Sequence, residues 1–452
     1  MARTRTALAV AVGLVLADSS VVVLALPDIY RELDVSVTAV AWVLIAFNLV
    51  LALTALPAAV AARSIGPARV TVAGLVVFAG ASLACGLAPD IQTLLVARCV
   101  QAIGGAAAVC AALELMPSVS GSERAAALAW ARAGAIGAAL GPGLGGLLTE
   151  LVSWEAIFLV QVPVAVVLAT ALAGLVRDEA APGAVAAEVR ASGSPHLAAN
   201  AALALVSAAL AAALFLIVLL LIEGWRLTPI AAAAAVSAMP IAALLGARVG
   251  ARAGGRARAA AGVILLAGGL AALALMPSAS IVATLAPQVL VGVGLALTLS
   301  ALTEAALAGR APQAIHGGWT IAARHAGVVA GLLLLTPVFT ADLESERDHA
   351  EQAGTAALLD SHLDPSSKID LAGRLADRLD EEGERVPVLA PAFEPLPTDP
   401  EQRAATVELR TALQEELDKA ATHAFSASFL IAAGFALAAL LPVALARGRP
   451  QL

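Results

Sequence analysis

The chain is a succession of apolar stretches, each close to the ~20 residues that an α-helix needs to cross a bilayer. They fall at 7–26, 40–61, 70–88, 91–116, 124–149, 156–176, 198–222, 229–249, 259–276, 281–306, 317–340 and 424–446, twelve in all. Of 452 residues, 60% are hydrophobic and 13% charged, about half the charged share of a soluble domain. Lipid offers the backbone no hydrogen-bond partners, so each span must satisfy itself as a helix. MARTRT and the apolar run after it read as an uncleaved first helix, because no small-x-small cleavage site precedes a polar mature sequence. Cys85, Cys99 and Cys110 sit in apolar runs, which points to neither a disulfide framework nor a thiol metal site.

Arginine placement sets the expected orientation. With the N-terminus in the cytoplasm, the inner ends hold Arg3, Arg5, Arg63, Arg69, Arg124, Arg177, Arg190, Arg248, Arg252, Arg256, Arg258, Arg310, Arg447 and Arg449. The short outer loops hold Arg31 and Arg226, so fourteen stand against two and both termini are expected to be cytoplasmic. Residues 1–176 then form a first six-helix bundle and 177–199 a polar cytosolic linker. Residues 200–340 hold helices seven to eleven, and 424–452 hold helix twelve with a cytosolic tail. Residues 341–423 form an acidic extracytoplasmic insertion between helices eleven and twelve, with 20 Asp and Glu against 8 Lys and Arg. Helices are expected in it near 344–362, 367–382 and 400–423, the last running on into helix twelve. A solvated acidic surface accounts for this charge; binding of a partner or lipid is the alternative.

Helices four and ten carry the same spacing. Arg98, Gly104 and Glu114 match Gln288, Gly294 and Glu304, and WARAG (130–134) echoes AARHAG (322–327). Two related halves are the arrangement expected of transporter folds with a site near the midplane.

Several motifs occur in order along the first 170 residues. LADSSVVVLALPDI (16–29) resembles the first-helix signature L-D-x-T-x-x-N-x-A-L-P of the drug–proton antiporter branch of the major facilitator superfamily. VARCVQAIGGA (96–106) resembles its R-x-x-Q-G-x-G, with Ala102 in place of a glycine. GAIGAALGPGLGGLL (134–148) resembles the antiporter motif of helix five, and SWEAIFLVQVP (153–163) resembles S-W-R-W-x-F-x-x-N-x-P. In the loop AAVAARSIGPARV (58–70), Gly66 and Arg69 keep the places of G-x-L-A-D-R-x-G-R-R, but Arg63 stands where the family has its acid.

The resemblance implies an all-α membrane fold of twelve helices in two pseudo-symmetric six-helix bundles, in a bacterial inner membrane. It also implies proton-coupled export of an amphipathic or hydrophobic small molecule by alternating access, as in multidrug efflux. A lipid or cell-envelope precursor exporter of the same fold and a scaffold or sensor acting through its outer domain are the alternatives. No cofactor beyond the proton gradient is called for. No G-x-x-x-x-G-K-S/T phosphate loop, metal-ligand spacing or nucleophile–base set is present, so neither an enzyme nor an ATP-driven pump is expected. Lipid and the transported molecule are the expected partners, nucleic acid is not, and the chain is expected to act as a monomer.

Asp18 lies roughly 16 Å past the inner end of helix one, and Arg98 roughly 19 Å from the same face, at 1.5 Å per residue in a core about 30 Å thick. Ionisable groups at matching depth can share the cost of dehydration. They read as a proton-coupling pair, or as a static lock between helices one and four. Glu114 and Glu304 oppose their helix dipoles, so basic partners are expected. The candidates are Arg63, Arg69 and Arg124 for Glu114, and Arg248 to Arg258 or Arg310 for Glu304. Both acids read as inner-gate latches or as plain surface ion pairs. Gly137, Gly141, Pro142, Gly145 and Gly146 let helix five pack closely and bend, for gating or merely for a tight crossing. Arg132, Arg324 and His325 are candidates for an inner vestibule, or snorkel to the interface. Asn48, Gln101, Gln161, Asn200 and Gln288 are candidate pore-lining groups or interhelical glue. Trp42 and Trp154 fit an interface belt.

Overall fold

The computed structural model describes residues 2–177, 179, 194–246, 254–382 and 389–446. Arg190, Arg248, Arg252, Arg447, Arg449, most of the 177–199 linker and the side chain of Arg124 lie outside the described residues. The apolar stretches are helices: α1 Ala2–Glu32, α2 Val37–Ile65, α3 Pro67–Gly86, α4 Ile91–Ser120, α5 Glu123–Leu151, α6 Ala156–Arg177, α7 Leu197–Gly224, α8 Pro229–Gly246, α9 Gly255–Ala274, α10 Ile281–Leu307 and α11 Gln313–Asp360. A shorter α12, Pro365–Glu382, precedes α13, Pro400–Leu445. Eleven of these are long and apolar enough to cross a membrane. The expected twelfth corresponds to α5, a 29-residue helix whose many glycines dilute its apolar character. Starts are set by short polar side chains: Ser36, Asp90, Ser122, Thr228 and Ser280 each accept the N–H three residues on. Asp90 thereby makes Ala88-Pro89-Asp90 the turn between α3 and α4.

The repeat seen in sequence is a repeat of helix crossings. Gly104 of α4 meets Gly74 of α3, where an added Cβ would come within 2.7 Å of the Gly74 carbonyl oxygen. Its counterpart Gly294 of α10 meets Gly262 of α9, with the same overlap at 2.6 Å. Likewise α5 lies on α1 through Gly137 against Gly13, and α11 lies on α7 through Gly327 and Gly331 against Ala204 and Ala208. Without a hydrophobic drive between helices in lipid, close backbone approach at small residues is what selects these neighbours. Some aliphatic side chains on the bundle's outer surface point outward: Leu53, Val76 and Val96 are each more than half exposed, as on a surface solvated by acyl chains.

The halves meet along α2 with α11 and along α5 with α8. Gly318 of α11 sits over Ala55 and Ala59, and Gly146 of α5 sits on Pro229 and Ala233. One face carries the N-terminal end of α1, Ile65, Glu114 and the start of α11; the opposite face carries Arg31, Glu150, Glu223 and the described residues of 341–423. We refer to them as the N-terminal face and the insertion face.

The insertion differs from expectation at its start. No separate helix begins near 344, because α11 continues without a break for 48 residues, roughly 72 Å, so the 340/341 division falls inside it. Nearly three-fifths of α11, about 42 Å, therefore exceeds a ~30 Å apolar slab. It packs beside the first half of α13, which passes 423/424 with only a short irregularity. Leu358, Leu363, Leu371, Leu389, Phe393, Leu409 and Leu413 close the far end as a small core of their own. At the base, Phe339 and Phe425 stack with ring centroids 4.6 Å apart.

Gly104→Ala should lower the melting temperature of the detergent-purified protein, by the equivalent of roughly 1–3 kcal/mol. Gly268→Ala, with nothing within 4 Å of the new methyl, should leave it unchanged.

Candidate functional site

Four helices of the first half deliver polar side chains to one buried point. Asp18 and Arg98 are 1% and 0% exposed. The Arg98 Nη1 donates to Asp18 Oδ2 at 2.5 Å and to Gln101 Oε1 at 2.6 Å, while Nε donates to the Val43 carbonyl at 3.2 Å. The other carboxylate oxygen of Asp18 accepts from Gln161 Nε2 at 3.0 Å and from Gln101 Nε2 at 3.2 Å. Gln101 reaches on to Ser82 at 2.8 Å. The guanidinium carbon lies 4.1 Å from the Phe47 ring centroid and 5.5 Å from that of Phe158, and Nη2 has no hydrogen-bond partner. Aromatic faces thus cover the side of the cation that the carboxylate does not. Ser82, Phe47 and Phe158 were not singled out in sequence; Phe158 lies inside the SWEAIFLVQVP motif and was the legible one.

Inside apolar surroundings a carboxylate and a guanidinium each lose several kcal/mol of hydration, which their mutual bonds must offset. Here both Asp18 oxygens are bonded and the charges touch. Removal of one charge leaves the other buried without its counter-ion.

The site extends toward the second half. Ser19, next to Asp18, donates to Asn48 Oδ1 at 3.5 Å, and His325 Nδ1 lies 2.6 Å from that same oxygen. Asn48 is held by its own donation to Leu44 O at 2.8 Å. With Asn48 Oδ1 as acceptor, the His325 Nδ1 carries the proton. His325 is buried, not at an interface, and joins α11 to α2 across the halves. Arg324 beside it is half-buried with Nε unbonded. Arg132 lies exposed on α5, outside this cluster. Gln288 occupies the Arg98 position of the second half but bonds only to Thr284, at 2.9 Å, and its Oε1 has no partner. Asn200 accepts from Thr320 at 3.3 Å. Trp42 is exposed as expected of a belt residue, but Trp154 is buried and donates to Glu32 at 2.8 Å. Its indole reaches an acid at the end of α1, which outweighs the interface.

The N-terminal face holds the expected acids, with one change of partner. Glu114 accepts the backbone N–H of Ala314 at 2.8 Å, across the halves, instead of an arginine. The free N–H groups at the start of α11 present the same positive potential. Glu304 pairs with Arg258 at 3.2 Å, within the second half. Gly141 and Gly145 seat α5 on Ser20 and Val21 of α1, and buried Pro142 leaves α5 continuous.

The acid displaced by Arg63 reappears from elsewhere. Glu179, just past α6, accepts from the N–H groups of Ala68 at 2.8 Å and Arg69 at 3.2 Å and pairs with Arg69 at 3.4 Å. Gly66 has φ of 118°, and a side chain there would overlap the Glu179 carboxylate. Glu179 is 110 positions from Arg69, so no local pattern reveals it.

The model of the Major Facilitator Superfamily matches residues 8–336, so the chain belongs to that superfamily of multi-pass membrane transporters, which are not enzymes. It is 36% identical over 170 residues to the multidrug resistance protein Stp of Mycobacterium tuberculosis, covering 36% of this chain and 32% of that protein. It is 36% identical over 188 residues to the tetracenomycin C resistance and export protein of Streptomyces glaucescens, covering 39% and 34%. The chain thus aligns with about a third of the length of these relatives. A bacterial homologue of the human lysosomal transporter Spinster, inward-facing and occupied, superposes with a TM-score of 0.61 over 99% of this chain and 98% of that one, at 17% identity.

Arg98→Met should cost about 3–5 kcal/mol by stranding the Asp18 charge, and Asp18→Asn in the same chain should restore a large part. Thermal unfolding of the four proteins of this cycle measures the coupling.

Proposed function

We propose that the chain is a proton-coupled secondary transporter that exports an amphipathic or hydrophobic small molecule by alternating access. The observation that carries this reading is Asp18, a carboxylate bonded to its counter-ion and to two glutamines inside the apolar bundle, linked through Ser19 and Asn48 to the opposing half. Resistance and export relatives support the efflux direction.

In this reading α5 is the twelfth span, the N-terminal face is cytoplasmic, and 341–423 stand outside a bacterial inner membrane. With Asp18 ionised, Arg98 is fixed to it and α1 stays docked on α4. Protonation cancels that attraction while Arg98 keeps its charge. The guanidinium then gains by turning toward water, which favours an arrangement of the halves in which the site is hydrated. Substrate binding in the interface competes for the same groups, Gln101, Gln161 and Asn48 among them, so proton and substrate exclude each other and exchange is enforced. Arg324 and Arg132 contribute positive potential in the half nearer the cytoplasm. Gln288 in place of a second arginine leaves the coupling charge in the first half alone. The proton gradient supplies the energy without a cofactor, and the transporter works as a monomer in lipid.

Proteoliposomes test this. Wild type should show proton movement coupled to flux of a hydrophobic drug, and Asp18→Asn should abolish the coupling with expression intact. Deletion of 345–420 should leave coupled flux measurable. Loss of function on that deletion, with Asp18→Asn unaffected, would instead establish a scaffold or sensor acting through its outer domain.

A further inference from the structure

The insertion face holds cross-half contacts that echo the Glu114 contact on the N-terminal face. Glu150, at the end of α5, accepts the N–H of Ile230 at 2.7 Å. Ile230 is the second residue of α8, as Ala314 is the second residue of α11. In each case an acid of the first half takes a first-turn N–H that has no intrahelical partner. Local sequence explains why that N–H is free. Pro229 begins α8 without an N–H, and Thr228 caps Ala231, one residue further on. Pro312 precedes α11 and has no side-chain acceptor. An acid at a helix C-terminus is unfavourable by itself; Glu150 is stabilised there by the facing N-terminus of α8.

A second contact lies on the same face. Arg31 of α1 forms an ion pair with Glu223 of α7, again across the halves, and a weaker one with Asp28 at 3.3 Å. The end of α1 is held in place for this by the Trp154–Glu32 bond.

Taken with the transport reading, on which this rests, we infer that Glu150 and the Arg31–Glu223 pair form the gate of the insertion face, released separately from the Glu114 latch on the other face. The two gates differ in burial. Ala314 is fully buried, so release of Glu114 strands a buried N–H, whereas Ile230 is half-buried and water can replace Glu150. The insertion-face gate is therefore the one that opens at lower cost.

Distances between spin labels in nanodiscs read each gate without reference to substrate. With Cys85, Cys99 and Cys110 replaced, one pair is placed at Val152 and Leu275 on the insertion face. The other is placed at Ile65 and Ala308 on the N-terminal face; all four positions are exposed. Glu150→Ala combined with Arg31→Ala should raise the long-distance population of the first pair roughly fivefold or more, with no lengthening of the second pair. Glu114→Ala should lengthen only the second. Glu150→Gln, which keeps an acceptor oxygen, should give a smaller shift, and Arg31→Glu with Glu223→Arg should return the wild-type distribution. An unchanged first pair, equal lengthening of both pairs, or failure of the charge exchange to restore the distribution overturns the inference. Unchanged distances beside intact coupled flux would remove the gate and leave transport standing; shifted distances beside absent wild-type flux would do the reverse.

Discussion

A carboxylate and a guanidinium in contact inside an apolar bundle constrain everything around them. Either Asp18 or Arg98 alone would be costly there, because the interior replaces little of the hydration each gives up. Their contact therefore sets the relative depth and rotation of α1 and α4. Gln101 and Gln161 then bring α4 and α6 to the remaining carboxylate oxygen. Phe47 and Phe158 complete the enclosure, so the first half is organised about one charge pair.

The scaffold that holds the pair uses almost no directional bonding between helices. Glycine crossings at Gly74–Gly104 and Gly262–Gly294 repeat the same geometry in both halves, and dispersion at close range provides the attraction. Among the described residues the Asp18–Arg98 pair has no counterpart in the second half, where Gln288 stands at the Arg98 position. The repeat is thus kept in packing and broken in electrostatics. The halves also meet through small residues, Gly318 on Ala55 and Ala59 and Gly146 on Ala233, with polar bonds added at the two faces and at His325–Asn48.

Much of this was legible in the chain. Helix lengths follow from apolar runs, starts from Ser36, Asp90, Ser122, Thr228 and Ser280, and the Asp18–Arg98 contact from matching depth. The continuous α11 was not legible, since a change from apolar to acidic composition marks where a helix leaves lipid and says nothing about where it ends. The partner of Glu114 escaped for another reason: sequence displays side chains, and Ala314 contributes a backbone N–H. Glu179 was hidden by distance along the chain, and Trp154 by a bond to Glu32 that only the packed α1 end provides.

The sequence by itself determined that this is a helical membrane protein with a charge pair at mid-depth and a repeated helical half. Apolar length, small-residue spacing and the cost of buried charge are one-dimensional constraints. Which helix ends face each other across the halves, and so which of Glu114, Glu150, Glu179, Arg31 and Glu223 act together, was decided only in three dimensions. Short-range polar contacts between distant segments depend on a docking geometry that no local pattern encodes.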